Sequence, residues 1–297
     1  MKNLTNQILA AVKAVVLGKD EQIKLALSCI LAGGHLLIED QPGMGKTTLA
    51  HTLAHVLGLK FQRVQFTSDL LPADILGVSV YDRNSASFKF HHGAVFTNVL
   101  LADEINRATP KTQSALLEVM EEAQVTIDSN TYPLPQPFFV IATQNPTHHI
   151  GTFPLPESQL DRFLMRISLG YPDHASERAL LKNQGGRAIA HQVKAICDAP
   201  SLITLQQAVS KIHVSEELLD YLQAVVEYTR GHFTTGLSPR SSLGLLQCAR
   251  AWAMCEGRDF VIPEDIKAVL PSVVGHRLPS SDHRNTAKQI LDSVSIR

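Results

Sequence analysis

One stretch constrains the fold more than any other: residues 35–58, HLLIEDQPGMGKTTLAHTLAHVLG. HLLIE is an apolar run of strand length. After Lys46, the residues Leu49, Leu53 and Leu57 fall on one helical stripe, and Gly58 is placed as its C-cap. Between them lies Gly43-Met44-Gly45-Lys46-Thr47. A strand, a glycine-bearing loop and a helix start, in that order, aim backbone N–H groups at phosphate oxygens. Gly43 and Gly45 let the backbone approach closely, Lys46 is placed to reach the β- and γ-phosphates, and the Thr47 hydroxyl to bind magnesium. The pattern G-x-x-x-x-G-K-[ST] asks for glycine where this chain has Asp40, a residue that tolerates turn conformations. The candidate nucleotide-binding set is Asp40, Gln41, Pro42, Gly43, Met44, Gly45, Lys46, Thr47 and Thr48.

A second motif supplies the partner chemistry. VLLADEINRA is an apolar strand that ends in two carboxylates, Asp103 and Glu104. An acid at the carboxyl end of a neighbouring strand can hold the magnesium on Thr47. The next carboxylate can orient and deprotonate an attacking water. The NKxD element that reads guanine is absent, which favours ATP over GTP.

Further strands are predicted at 61–66, 99–102, 138–142 and 164–168, separated by helical stretches such as Thr112–Glu122. That alternation predicts a parallel sheet with helices on both faces. VSVYDRNSASFKF and VTIDSNTYPL instead alternate around polar turns and are predicted hairpins, near residues 76–93 and 123–135. Past Tyr171-Pro172 strands largely vanish. Helices are predicted at Ser176–Gln184, Thr204–Ile212, Ser215–Thr229, Pro239–Glu256, from Pro263, and at Asn285–Ser293. The chain therefore divides near residue 172 into an α/β domain, 1–172, and an all-α domain, 173–297.

Composition narrows the function classes. A formal net charge of −1 with 19% charged residues argues against nucleic acid or an anionic membrane as a partner. The apolar run Leu25–Ile38 is broken by Ser28, Gly33, Gly34 and His35 and is too short to span a bilayer. Lys2 and the polar stretch Asn3–Gln7 do not read as a signal peptide. Cys29, Cys197, Cys248 and Cys255 lack zinc or C-x-x-C spacing and read as buried thiols in a reducing compartment, so a cytoplasmic location is expected.

The motif set resembles the AAA+ ATPases and, among them, the MoxR family of the helix-2-insert clade. LLIEDQPGMGKTTLA is similar to that family's Walker A segment, where Glu-Asp before the loop is usual, and LLADEINRA to its Walker B segment. FFVIATQNP resembles the sensor-1 strand and places that role on Asn145. GTFPLPESQLDRF resembles the arginine-finger segment and places that role on Arg162. GLSPRSSLGLLQCARAWA resembles the sensor-2 helix start and gives Arg240. The resemblance covers roughly residues 5–295. Catalytic roles are thus expected for Lys46, Glu104, Asn145, Arg162 and Arg240. Arg107 either contacts a neighbouring nucleotide or caps structure below the sheet.

The resemblance implies an AAA+ core followed by a small all-α lid, with ATP and Mg2+ as cofactors and the finger supplied by a neighbour in a ring, expected to be a hexamer. It also implies chaperone-like work on client proteins, with von Willebrand factor A domain proteins and metalloenzymes among the candidates. A magnesium-chelatase-type motor subunit, a DNA-acting motor and a non-hydrolysing ATP switch are the alternatives. The chain departs from the family at Thr147-His148-His149-Ile150. Histidines there, like His91-His92, are solvated loop residues or, beside a subunit interface, pH-sensitive.

Overall fold

The computed structural model describes residues 2–145, 151–182, 193–278 and 283–294. His148 and His149 lie outside the described residues. Two helices open the chain, α1 (Lys2–Val15) and α2 (Asp20–Leu31). They are followed by β1 (Leu36–Glu39), α3 (Lys46–Val56), β2 (Phe61–Gln65) and α4 (Pro72–Leu76). After the first hairpin, β3 (Gly77–Asp82) and β4 (Ser87–His92), come β5 (Val99–Asp103) and α5 (Pro110–Glu122). The second hairpin, β6 (Gln124–Ile127) and β7 (Asn130–Pro133), leads to β8 (Phe139–Gln144), α6 (Glu157–Leu160) and β9 (Met165–Ile167).

The five-stranded sheet has the order β2-β5-β8-β1-β9. All of its pairings are parallel, with Leu36 opposite both Ile141 and Met165, and Val99 opposite both Phe61 and Phe139. Side chains alternate across it with the period of a strand. Leu36, Ile38, Val99, Leu101, Phe139 and Ile141 face one apolar cluster, and Leu37, Leu100, Ala102, Val140 and Ala142 face the other. Both faces are covered, as a parallel sheet requires. The second cluster packs on α5 through Leu116, Leu117 and Met120. The first continues through α1, α2 and α3 into the C-terminal helices.

Those helices are α7 (His174–Leu181), α8 (Ala199–Val209), α9 (Glu216–His232), α10 (Pro239–Cys255), α11 (Pro263–Val274) and α12 (His283–Ser293). Three begin earlier than the apolar pattern predicts, at His174, Ala199 and His283, and the first two have a visible cap. Asp173 caps α7 by accepting from the Ser176 N–H at 2.8 Å, and Asp198 caps α8 by accepting from the Ser201 N–H at 2.9 Å. An aspartate three residues before a serine amide satisfies an otherwise orphaned donor and sets the start. No described helix is long and apolar enough to cross a membrane.

In the second hairpin, Asp128 and Ser129 both have positive φ, 50° and 65°. That is the two-residue turn whose twist matches the flanking strands. All four cysteines are free and buried.

Candidate functional site

The phosphate loop leaves the carboxyl end of β1, beside β8, at the point where the strand order reverses. Ligands of open α/β sheets bind in that crevice. Gly43 and Gly45 have φ of 87° and 90°, conformations that L side chains rarely adopt, and open space lies where a Cβ would stand. The first bond of α3 runs from Leu49 N–H to Gly45 O at 2.9 Å, so the amides of Lys46, Thr47 and Thr48 precede any intrahelical partner.

Asp40 holds this loop from behind. Its carboxylate accepts from the Gly170 N–H at 2.6 Å, the Ser168 hydroxyl at 3.2 Å and the Gln41 N–H at 2.9 Å. Its carbonyl accepts from the Lys46 ammonium. The residue at the first motif position thus ties the loop to the chain just beyond β9, work that a glycine cannot do.

Lys46 is 8% exposed and also donates to Gln41 O at 3.3 Å and to Asn145 Oδ1 at 3.2 Å. Burial pushes its ammonium below the usual lysine range, and Asp40, Asp103, Glu104 and Glu39 pull the other way. A phosphate group brought into the loop would add to that second effect.

Asp103 closes β5 and Glu104 follows it. Thr143 of β8 joins the two: its hydroxyl donates to Asp103 Oδ1 at 2.6 Å and accepts from the Glu104 N–H at 2.9 Å. Glu104 has a φ of 57°, an uncommon backbone state for a non-glycine residue and one often found at active sites. Its carboxylate accepts from Gln65 at 3.0 Å, Arg107 at 2.7 Å and Asn145 at 3.4 Å. One cavity of about 320 Å³ is lined by Pro42, Gly43, Gly45, Lys46, Thr47, Thr48, Arg63, Gln65, Asp103, Glu104 and Asn145. Asp40, Gln41 and Met44 are not part of that lining. A neighbouring cleft of about 660 Å³ shares Glu104 and Asn145 and adds Arg107, Asn106 and the Thr67-Ser68-Asp69 turn.

The donor set fits a nucleoside triphosphate with magnesium. Open glycines, unpaired amides and a buried ammonium converge on one side, and the Thr47 hydroxyl and Asp103 carboxylate line the other. No described group of three or more His, Cys, Asp or Glu residues could hold a metal by itself. Such a sparse oxygen set suits magnesium, which keeps waters and takes the remaining ligands from phosphate. Arg63 shares the metal side, with its guanidinium on Asp103 Oδ2 at 2.7 Å.

Arg162 and Arg240 are brought together, but elsewhere. Both pair with Glu121 at 3.0 Å, and Arg162 also donates to Leu117 O at 2.6 Å. Their cleft is lined by Gly33, Gly34 and His35, which precede β1, whereas the phosphate loop follows it. A four-residue strand spans about 13 Å, so the two arginines lie at the opposite end of the sheet from their own chain's loop. Arg240 therefore does not reach the phosphate loop of its own chain from the lid. Sequence reading missed Thr143, Gln65, Arg63 and Ser168, which are ordinary polar residues until the strands are paired. For Gln65, Thr143 and Ser168 the one available signal was a place at or next to a strand end; Arg63 sits in the middle of β2 and gave none.

The comparisons agree with this fold. The family described as "ATPase family associated with various cellular activities (AAA)" matches residues 35–165, and an AAA lid domain matches residues 228–294. The Mycobacterium tuberculosis protein named chaperone MoxR1 is 44% identical over 278 residues, covering 90% of this chain and 73% of its own. The protein MoxR of Paracoccus denitrificans is 33% identical, covering 91% of this chain and 86% of its own. The crystal structure of a candidate ATPase from Cytophaga hutchinsonii superposes with a TM-score of 0.90 at 38% identity, over 100% of this chain and 96% of that one. With relatives named MoxR matched over about nine-tenths of its length, and family models over its core and lid, the chain belongs to the MoxR family of AAA+ ATPases.

Proposed function

We propose that the protein is an ATP-hydrolysing subunit of a homo-oligomeric ring, a hexamer in the form the resemblance implies, which remodels or activates client proteins. The observation that carries this reading is the separation of Arg162 and Arg240 from the loop at the other end of the sheet. Everything needed to bind ATP and activate water surrounds one cavity, and the two cations suited to the developing phosphate charge point away from it. They serve a second subunit's nucleotide, and the chain acts as core 1–172 and lid 173–297 repeated around a ring. The name of the mycobacterial relative supports a chaperone role, and von Willebrand factor A domain proteins and metalloenzymes are among the clients the resemblance implies. The four free thiols fit work in a reducing cytoplasm.

The chemistry follows from the positions. Lys46 and the loop amides bind the β- and γ-phosphates. Glu104, held by Gln65, Arg107 and Asn145, takes a proton from a water aligned with the γ-phosphorus. The water oxygen forms its bond to phosphorus as the bond to the β-phosphate bridging oxygen breaks, and ADP leaves with that electron pair. Thr47 and Asp103 would hold magnesium, which would neutralise charge on the phosphates. Asn145 links Lys46 to Glu104 and so senses the γ-position.

The test is ATPase rate per subunit over a wide range of protein concentration, with particle size measured at each point. The rate is expected to rise steeply as rings assemble. A rate that stays constant while particles shrink to monomers would end the shared-site reading.

A further inference from the structure

The segment that carries Arg162 is gripped by the lid. Arg277, just past α11, is buried, its side chain 6% exposed. Every N–H of its guanidinium has an acceptor. Nε donates to Asp161 Oδ1 at 2.7 Å, and Nη2 donates to Asp161 O at 3.2 Å and Phe163 O at 2.7 Å. Nη1 donates to Leu164 O at 3.1 Å and to Val273 O. All but the last of these acceptors lie within residues 161–164. His276 Nε2 adds a bond to Phe163 O at 2.8 Å, and the Ser241 hydroxyl of α10 donates to Asp161 Oδ1 at 2.9 Å. Burial pushes the Asp161 carboxyl up, but Arg277 and Ser241 outweigh it and hold it below the ordinary range.

Packing closes the same joint. A Cβ on Gly34 would come within 2.2 Å of the Leu164 side chain, and one on Gly244 of α10 within 2.6 Å. Leu164 is seated between the start of β1 and the lid with no slack. Arg162, flanked by these fixed residues, leaves only its own side chain free to reach Glu121.

A buried guanidinium is an expensive way to join two surfaces, since well-packed apolar side chains often do as well. What it adds is direction, because a planar fork fixes both position and angle. We infer that Arg277 is a positioning residue for the reaction: it makes the lid and the Arg162 segment one rigid unit, so that the lid's position sets where Arg162 meets the next subunit's nucleotide. This rests on the reading that Arg162 acts across a subunit interface.

The test is complementation between variants in mixed assemblies. Arg277→Gln is expected to bind a fluorescent ATP analogue with wild-type affinity while kcat falls ~10-fold or more, towards the ~10³ of a missing finger. Lys46→Ala binds no nucleotide but keeps its finger. Mixing the two is expected to restore turnover well above the sum of the parts, because fingers from Lys46→Ala subunits serve sites in Arg277→Gln subunits. Arg162→Ala mixed with Lys46→Ala is the control. If that pair recovers activity and the Arg277→Gln pair does not, the positioning role is overturned. If the control pair stays inactive, the shared-site reading fails and takes this inference with it. Should Arg277→Gln lose nucleotide binding, Ser241→Ala carries the test, since it loosens Asp161 and leaves Arg277 in place. A several-fold kcat loss rescued by Lys46→Ala supports the role, and a wild-type kcat overturns it.

Discussion

Arg63 of β2 reaches diagonally across the strand pair to Asp103 of β5, with Nη2 at 2.7 Å from Oδ2 and Nε at 3.1 Å from the same oxygen, while Gln65 is the register partner of Asp103. The guanidinium therefore competes for a carboxylate that the proposed metal needs. Half-exposed pairs of this kind are worth about 0.2–1 kcal/mol. Arg63→Ala should lower the magnesium concentration needed for nucleotide binding by about 1.4- to 5-fold. A magnesium titration of fluorescent-nucleotide binding reads this directly. An unchanged or higher requirement would show that the pair does not oppose the metal.

Glu104→Gln should keep the acceptor oxygen that Gln65 and Arg107 share, but it loses the base and the acceptor that Asn145 uses. Turnover is expected to drop by ~10²-fold or more with nucleotide affinity retained, in line with the usual size of general-base effects. Single-turnover hydrolysis alongside equilibrium binding separates the two. Ordinary turnover in that variant would remove Glu104 from the mechanism.

Asp40→Gly restores the commoner loop sequence, and the structure predicts that it harms the protein. The substitution leaves the Gly170 N–H and the Ser168 hydroxyl without their carboxylate partner. Loss of a buried partner costs about 1–3 kcal/mol, which should lower Tm by several degrees. Nucleotide affinity should fall with it, because residue 40, freed from its side-chain anchors, no longer fixes the backbone carbonyl that orients Lys46. A melting temperature equal to wild type would show that the brace carries no stability.

His35 makes the fold sensitive to acid. Its Nδ1 accepts from the Val140 N–H at 2.9 Å, so Nε2 carries the proton and donates to Met120 O at 3.0 Å. Burial pushes the ring down to about 4, and a second proton would have to displace the Val140 bond. In the unfolded chain histidine titrates near 6.5. The neutral ring's contribution is therefore complete above about pH 6.5 and is lost as pH falls towards 4, by up to about 3 kcal/mol. Urea midpoints of wild type and His35→Gln should differ most at neutral pH and converge on acidification. A gap independent of pH would contradict the assigned protonation state.

Contiguous features were the readable ones. The strand–loop–helix at 35–58, the Asp103-Glu104 strand end and the parallel core strands all follow from local patterns, and each stands where the pattern puts it. Helix starts at Asp173 and Asp198 were misread because the apolar stripe begins later than the cap that fixes the first turn. The motif gave Arg240 a sensor-2 role without saying where it sits; the fold sets it beside Arg162 on Glu121.

The sequence by itself determined what each short segment can do: bind phosphate at a helix start, end a strand in paired acids, or alternate apolar residues so that a parallel sheet forms. Backbone geometry and side-chain period act over a few residues, and they are written in order along the chain. Tertiary structure alone decided the partners. Strand register put Thr143 between Asp103 and Glu104, and Arg63 against Asp103. Lid packing closed Arg277 around a segment more than a hundred residues earlier, with Nε–Oδ1 to Asp161 separated by 116 positions. Hydrogen bonds between such distant residues depend on angstrom-scale placement that only the packed core supplies, and no local pattern encodes it.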